Sequence, residues 1–411
     1  MAEVRGQLLD EGGAVYNVKA YKTTTNSWAD AIRAAIGAAQ PVGGTVLFPP
    51  GTYTVGESIK VPSGITLAGS GMYSSIVKHT IDPKASYNNN ADAMFDLSPV
   101  APATETKNVR IVDLGMEGKN TTRILAPEGP IPRHVFMGSV EGSLVHHVTV
   151  ERCRFDASYG AGIGGFDPKH VIVRDCSASG NGENGINVNG FHHQIVRNRG
   201  ENNGSAFIEA AVGFTLVSQN YARGNNNKGI VVGGFTSTDA NARGWYNVVT
   251  DNICIQNQGG LALAGNTCFS LVANNICHAN RLWGILVTTH AGVTQHNLVH
   301  NNICTANGDP GSSNFYGIFI DAPEVRVTNN KLADVPTVVA DVDPGTAARQ
   351  KYGVLMYSGA NHDVVGNDSR GHGIVDYSFE GANPPTNVVF QRWRAEPDTK
   401  TYVGPGATFK S

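Results

Sequence analysis

Short apolar runs recur along the middle of the chain, each closed by the same kind of polar residues. The segments HVTVERC, HVIVRDC, HQIVRNR, FTLVSQN, YNVVTDN, FSLVANN, HNLVHNN and EVRVTNN align on one valine: Val150, Val173, Val196, Val217, Val249, Val272, Val299 and Val327. The first steps are 23, 23 and 21 residues, and later ones run from 23 to 32. A second apolar run follows a glycine in most repeats: GIGG at 162, GINV at 185, GIVV at 229, GLAL at 260, GILV at 284, GIFI at 317 and GVLM at 353. Turns rich in Asn and Gly lie between them. These runs are too short for helices, and no 3.6-residue period appears from 140 to 370. Short strands repeated every 20 to 30 residues describe a solenoid. The L-x-x-L-x-L spacing of leucine-rich repeats is missing. The pattern therefore predicts an all-β fold, a parallel β-helix of about ten coils of about 23 residues each.

The alignment creates columns. Three residues after the valine come Asn220, Asn252, Asn275, Asn302 and Asn330, placed for a left-handed turn and for amide hydrogen bonds between coils. Two residues later come Cys254, Cys277 and Cys304, expected to be reduced, buried and stacked about 4.8 Å apart. His147, His170 and His193 are spaced by 23, and the valine alignment continues that column as Phe214, Tyr246, Phe269 and His296. Its neighbour, with His146, Lys169 and His192, points to the opposite side of the strand. Alternation alone leaves open which column faces outward.

The N-terminal section reads differently. SWADAIRAAIGAAQ puts Trp28, Ile32, Ala35, Ile36 and Ala39 on one helical face, with Ser27 and Asp30 as a capping box. Such a helix would cover the open end of the coil stack. The expected organisation is an N-terminal segment with capping helix at 1–41, a β-helix at 42–377, and a C-terminal cap or assembly tail at 378–411, where the repeat fades.

Composition narrows the partners. Only 16% of the 411 residues are charged, the net charge is −3, and no Lys/Arg block occurs, so nucleic acid is not an expected partner. No run of about 18 apolar residues predicts a membrane span. The opening MAEVRGQLLDEGG shows no signal peptide, yet extracellular or virion-associated action is compatible with the rest. None of the six cysteines forms a C-x-x-C.

The order of helix, GGTVLFPPGTYTV, IKVPSGITLAGSGMYSSIVK and then β-coils resembles the pectate-lyase-like superfamily of right-handed parallel β-helices. The likeness covers residues 14 to 370. That superfamily includes polysaccharide lyases, glycoside hydrolases, alginate C5-epimerases and phage tailspike depolymerases. Within it, YGAGIGGFDPKHVIVRDCSASGNGENGINV resembles the catalytic region of the alginate C5-epimerase modules, with their Tyr-Gly-Phe-Asp-Pro-His run and a later acid. The resemblance implies catalytic roles for Tyr159, Asp167, His170 and Glu183. This chain departs from the motif in three places. Extra residues follow Tyr159-Gly160, Lys169 stands between Pro168 and His170, and the second acid is Glu.

The residue types fit proton abstraction beside a carboxylate. That chemistry needs a base at the sugar ring, a cation for the substrate carboxylate and an acid for the leaving oxygen. Tyr159, Asp167, Lys169, His170 and Glu183 supply them within about one coil, the densest titratable cluster in a charge-poor chain. Each also has a plain structural reading: a packing column for His170, a turn cap for Asp167, an exposed turn for Glu183. GPIPRHVF, 129 to 136, reads as a loop over the flank that offers Arg133 to a carboxylate. TSTDANARGWYN, 236 to 247, offers Arg243 and Trp245 for sugar contact, and the two insertions would wall a groove.

Three classes follow. The first is a lyase or C5-epimerase on a uronate polysaccharide. The second is a glycoside hydrolase or glycosyl-transferring enzyme with paired carboxylates from Asp167, Glu183 and Glu209, or with Glu209 and Asp321. The third is a phage tail protein that binds or depolymerises glycan. The partner in each is a polysaccharide or oligosaccharide. No cofactor is required, and both a calcium ion and homo-oligomerisation stay open.

Overall fold

The computed structural model describes residues 13–81, 93–100, 102–120, 132–138, 144–233, 244–289, 294–308, 315–334, 350–370, 372, 375–381, 383–392 and 401–409. The chain divides into two compact units, with the boundary between Ser205 and Ala206.

In the first unit each coil contributes to three parallel sheets. Lys169–Arg174 belongs to the first sheet and pairs with Leu144–Glu151 and Gln194–Val196. Ser177–Ser179 belongs to the second, between Arg154–Asp156 and Arg199–Glu201. Ile163–Phe166 belongs to the third, between Val135–Gly138 and Ile186–Val188. The second unit repeats the scheme. Val248–Thr250, Ile253–Ile255 and Gly259–Ala264 pair with Leu271–Ala273, Ile276–His278 and Trp283–Thr288 one coil on. The fold is a right-handed parallel β-helix, the hand that parallel connections take. Alternation explains the interior: Val150, Val173, Phe155, Ala178, Ile163 and Ile186 all point in and are buried.

Left-handed residues turn the chain at the corners. In one coil these are His170 (φ 54°), Asp175 (φ 55°) and Gly180 (φ 64°). The asparagine column does not supply them. The left-handed position is one residue earlier, at Gln219, Asp251, Asn274, Asn301 and Asn329. The expected amide ladder does form. Asn220, Asn252, Asn275, Asn302 and Asn330 are buried, and each donates its backbone and side-chain N–H groups to the next amide oxygen at 2.8 to 3.0 Å. A second ladder, Asn225, Asn257, Asn280 and Asn307, runs beside it. It also crowds the glycines before three third-sheet runs, Gly229, Gly260 and Gly284. A Cβ on Gly260 would sit 3.0 Å from the Asn280 amide nitrogen and 2.2 Å from the Gly284 oxygen.

The cysteine column is as the spacing predicts. Cys254, Cys277 and Cys304 pair in register, are buried, and are free thiols. They lie on the second sheet, which the two-segment repeat did not reveal.

One register differs by a residue. Val173 pairs with Ile195, not Val196, because that coil is 22 residues long. Ile195 therefore faces the core. The ring column continues through His192, and His193 turns inward.

The helix Trp28–Ala39 forms with the Ser27–Asp30 capping box and buries Ile32, Ala35, Ile36 and Ala39 against the first strands. Beyond residue 378 the coils continue: Val389–Arg392 pairs with Asp363–Arg370, and Thr401–Val403 with Val375–Phe379.

Candidate functional site

The segment with Arg133 is a coil strand, not a flank loop. Val135–Gly138 lies in the third sheet between Phe95–Asp96 and Ile163–Phe166, and the Pro132 oxygen accepts from the Gly160 amide and the Ser158 hydroxyl. The two prolines read as breakers, but the apolar run after them is paired on both sides in the third sheet. His134 is buried against His79, with ring centroids 5.1 Å apart. The side chain of Arg133 lies on the outer face of the sheet. It crosses Gly164, where a Cβ would come within 2.5 Å of Arg133 Cδ. Its guanidinium sits 5.4 Å from the Phe136 ring, 5.6 Å from the Phe166 ring and 3.8 Å from the Glu183 carboxylate. Only 12% of the Arg133 side chain is exposed, and its Nε has no hydrogen-bond partner among the described residues. Burial lowers its affinity for the proton, and Glu183 opposes that shift. An arginine stays charged here. The result is a largely buried cation whose shielded Nε has no partner among the described residues.

A second cluster occupies the corner where the third sheet passes to the first. His147, His170 and His192 stack with centroids 4.8 and 5.0 Å apart and planes within 11° and 7°. All three have left-handed backbone and are exposed, so the column faces outward. His146 shares a 2.6 Å hydrogen bond with His147 and contacts Glu105 at 3.1 Å. Partial burial and then the neighbouring imidazoles hold His170 below its ordinary pKa. It is therefore a neutral base at neutral pH. Asp167 precedes this corner with φ 52°. Partial burial raises its carboxyl above the usual range, and Lys169 opposes the shift. Lys169 pairs with His146 and Phe191 on the neighbouring coils.

Tyr159 stands elsewhere. It lies before the strand Ile163–Phe166, whereas His170 lies after it, and that strand spans about 13 Å of extended chain. Tyr159 is instead beside the coil of Glu183, whose amide donates to the Gly160 oxygen at 3.3 Å. Without the inserted residues, the tyrosine of the motif would fall on Gly164, the position Arg133 covers.

The other expected residues lie in the second unit or outside the described residues. Arg243 is outside, as are residues 129–131 of the insertion 129–136 and 236–243 of the insertion 236–247, so the expected groove is not described. Trp245 is half-buried and edge-on to Tyr246 and Phe269, both at 6.3 Å. Phe214, Tyr246 and Phe269 are 45 to 50% exposed, and Tyr246, Phe269 and His296 stack ring on ring, so this column also faces outward. Glu209 and Asp321 are on third-sheet strands of the second unit, and Asp321 accepts from the Ser358 hydroxyl. No group of three or more His, Cys, Asp or Glu suited to a metal occurs among the described residues.

Residues 16–231 match the family model described as rhamnogalacturonase A/epimerase, pectate lyase-like. The chain belongs to this family. The pectate-lyase-like match spans more than half of it and covers the whole first unit from Tyr16 onward. Among solved structures the chain is similar to the A-module of mannuronan C-5 epimerase AlgE4 of Azotobacter vinelandii, at 20% identity over 96% of this chain and 100% of that one, TM-score 0.59. It is similar to the family 28 exopolygalacturonase of Yersinia enterocolitica, at 13% identity over 96% and 79%, TM-score 0.55. It is also similar to the N-terminal fragment of bacteriophage phi29 gene product 12, at 13% identity over 96% and 73%, TM-score 0.56. At these identities the likeness is one of fold. A search of curated protein sequences finds no match.

Proposed function

We propose that the first unit acts on an acidic polysaccharide and removes the C5 proton of a uronate residue, as a lyase or a C5-epimerase. The observation that carries this reading is Arg133, a largely buried guanidinium between two phenyl rings, 3.8 Å from the Glu183 carboxylate and 12% exposed. A fork of donors in an apolar setting suits a substrate carboxylate, and the phenyl rings suit the sugar beside it. A neutralised carboxylate acidifies the adjacent C5–H bond. His170 is the proposed base, with Lys169 as a substrate contact and Asp167 orienting the corner. In a lyase, the C5 electron pair forms the C4–C5 double bond and the O4 substituent leaves. In an epimerase, a proton returns to C5 on the opposite face. Tyr159 and Glu183 flank the carboxylate end. No step runs through a metal.

The hydrolase reading draws support from Asp167, whose raised carboxyl suits a general acid. It needs a second carboxylate about 5 to 9.5 Å away. Glu183 is held by Arg133, and the strand Ile163–Phe166 separates its coil position from Asp167.

The test incubates the protein with alginate, polygalacturonate and other uronate polymers. Ultraviolet absorbance reports unsaturated ends, a reducing-sugar assay reports hydrolysis, and proton NMR reports inverted uronates. Unsaturated ends or inverted uronates, lost in Arg133→Ala, support the reading. Reducing ends without absorbance transfer it to a hydrolase. Binding with no change in the polymer leaves a glycan-binding protein.

A further inference from the structure

The second unit contains a cleft that the family match does not reach. Its floor is the outer face of the third sheet, where Tyr316 pairs in register with Tyr352. Tyr357, Leu355, Glu380 and Pro384 complete the walls. The cleft holds about 330 Å³. Ligand pockets range from about 300 to 1,000 Å³, so this one suits one or two small rings.

Its chemistry differs from that around Arg133. The one charged side chain lining it, among the described residues, is the carboxylate of Glu380, to which the Ser378 hydroxyl donates at 2.8 Å. Lys351, next in sequence to Tyr352, is spent on the Phe315 ring at 4.2 Å. Burial, then neighbouring tyrosines and Glu380, raise the Tyr316 hydroxyl above its ordinary pKa, so it remains a neutral donor. A carboxylate without a cation repels a uronate and accepts hydroxyl donors. Tyr316, Tyr352 and Tyr357 form an aromatic wall, with Phe319 packed against Tyr316. Phe319 and Tyr352 lie 4.9 and 5.3 Å from Tyr316, with planes within 19° and 37° of it. A cage for an ammonium group needs faces on several sides. Three tyrosines with their hydroxyls, Tyr316, Tyr352 and Tyr357, beside one carboxylate suit the C–H face and the hydroxyls of a pyranose.

We propose that this cleft binds one or two uncharged pyranose units of a glycan, stacked on the tyrosine wall with hydroxyls donated to Glu380. It is a second carbohydrate site, independent of the uronate chemistry proposed for the first unit and opposite to it in charge preference.

The test measures binding of neutral hexasaccharides (cellohexaose, mannohexaose, maltohexaose and chitohexaose) by saturation-transfer NMR and calorimetry. Hexagalacturonate and choline serve as charged comparators. At least one neutral hexasaccharide binds, and Tyr352→Ala or Tyr357→Ala weakens it by about tenfold or more. Tyr357 is 37% exposed, so its replacement leaves the melting temperature nearly unchanged and separates binding from folding. Glu380→Gln weakens the neutral ligand, whereas Arg133→Ala leaves it unaffected. The proposal is overturned if no neutral member binds, if binding survives both tyrosine changes, or if choline or hexagalacturonate alone is lost in Tyr352→Ala.

Discussion

The Arg133 guanidinium crosses one whole coil and stands 3.8 Å from the Glu183 carboxylate two coils on. Gly164 in the intervening coil leaves the space. The contact is longer than a hydrogen bond, so the arginine is neutralised without being used up.

Arg133→Lys keeps the charge and loses the planar fork between Phe136 and Phe166. Binding of a uronate oligosaccharide should weaken by about tenfold, corresponding to ~1.4 kcal/mol. Calorimetry checks this. Unchanged affinity would move the carboxylate subsite away from Arg133.

His170→Gln should lower turnover of a uronate polymer by about 10² to 10⁴ with little change in melting temperature. Tyr159→Phe, a strand length away, should cost less than about tenfold. Equal and large losses in both would mean that substrate spans the whole strand. Near wild-type rates in His170→Gln would reduce the imidazole stack to packing.

Acid should destabilise the protein through its buried histidines. Burial pulls His79 down to about 4 and His134 well below its usual value. Both are neutral in the folded state, while unfolded imidazoles take up protons near about 6.5. The unfolded state then binds more protons as pH falls. Stability is complete above about 6.5 and is lost as pH drops toward about 4, on the order of 3 kcal/mol for His79. Calorimetric melting across that window checks the slope, and His79→Leu should flatten it.

The inner asparagine ladder should matter more than the left-handed corner beside it. Asn275→Ala strands the amide groups of Asn252 and Asn302 and should cost about 2 to 4 kcal/mol. Asn274→Gly, at φ 57° and exposed, should change stability by less than about 1 kcal/mol. Urea titration of the two variants compares them directly.

The thiols of Cys254, Cys277 and Cys304 should resist labelling in the native protein and react on unfolding, since all three are fully buried. Burial pushes the Cys304 thiol up, which removes the reactive thiolate. Rapid native labelling of all three would contradict the stacked interior.

The repeat itself was legible because burial in a solenoid is periodic. Val150 and Val173 face the core of the first unit, and Val249 and Val272 that of the second, so within each unit their spacing records the coil length. The amide ladder and the cysteine stack follow from the same period. So did the helix Trp28–Ala39, whose cap and apolar face are local. What failed was set by single-residue registers. A 22-residue coil put His192 rather than His193 on the outer stack, and no local feature of HHQIV marks that deletion. The prolines before Val135 concealed a strand that parallel neighbours stabilise. The candidate site divides in the same way. Its residue types could be read from the chain, because Asp167, Lys169 and His170 are adjacent. The separation of Tyr159 from His170, and the meeting of Arg133 with Glu183, required the stacking of coils. Contacts across coils depend on register and on empty space such as that above Gly164, and neither has a signature within one coil's sequence.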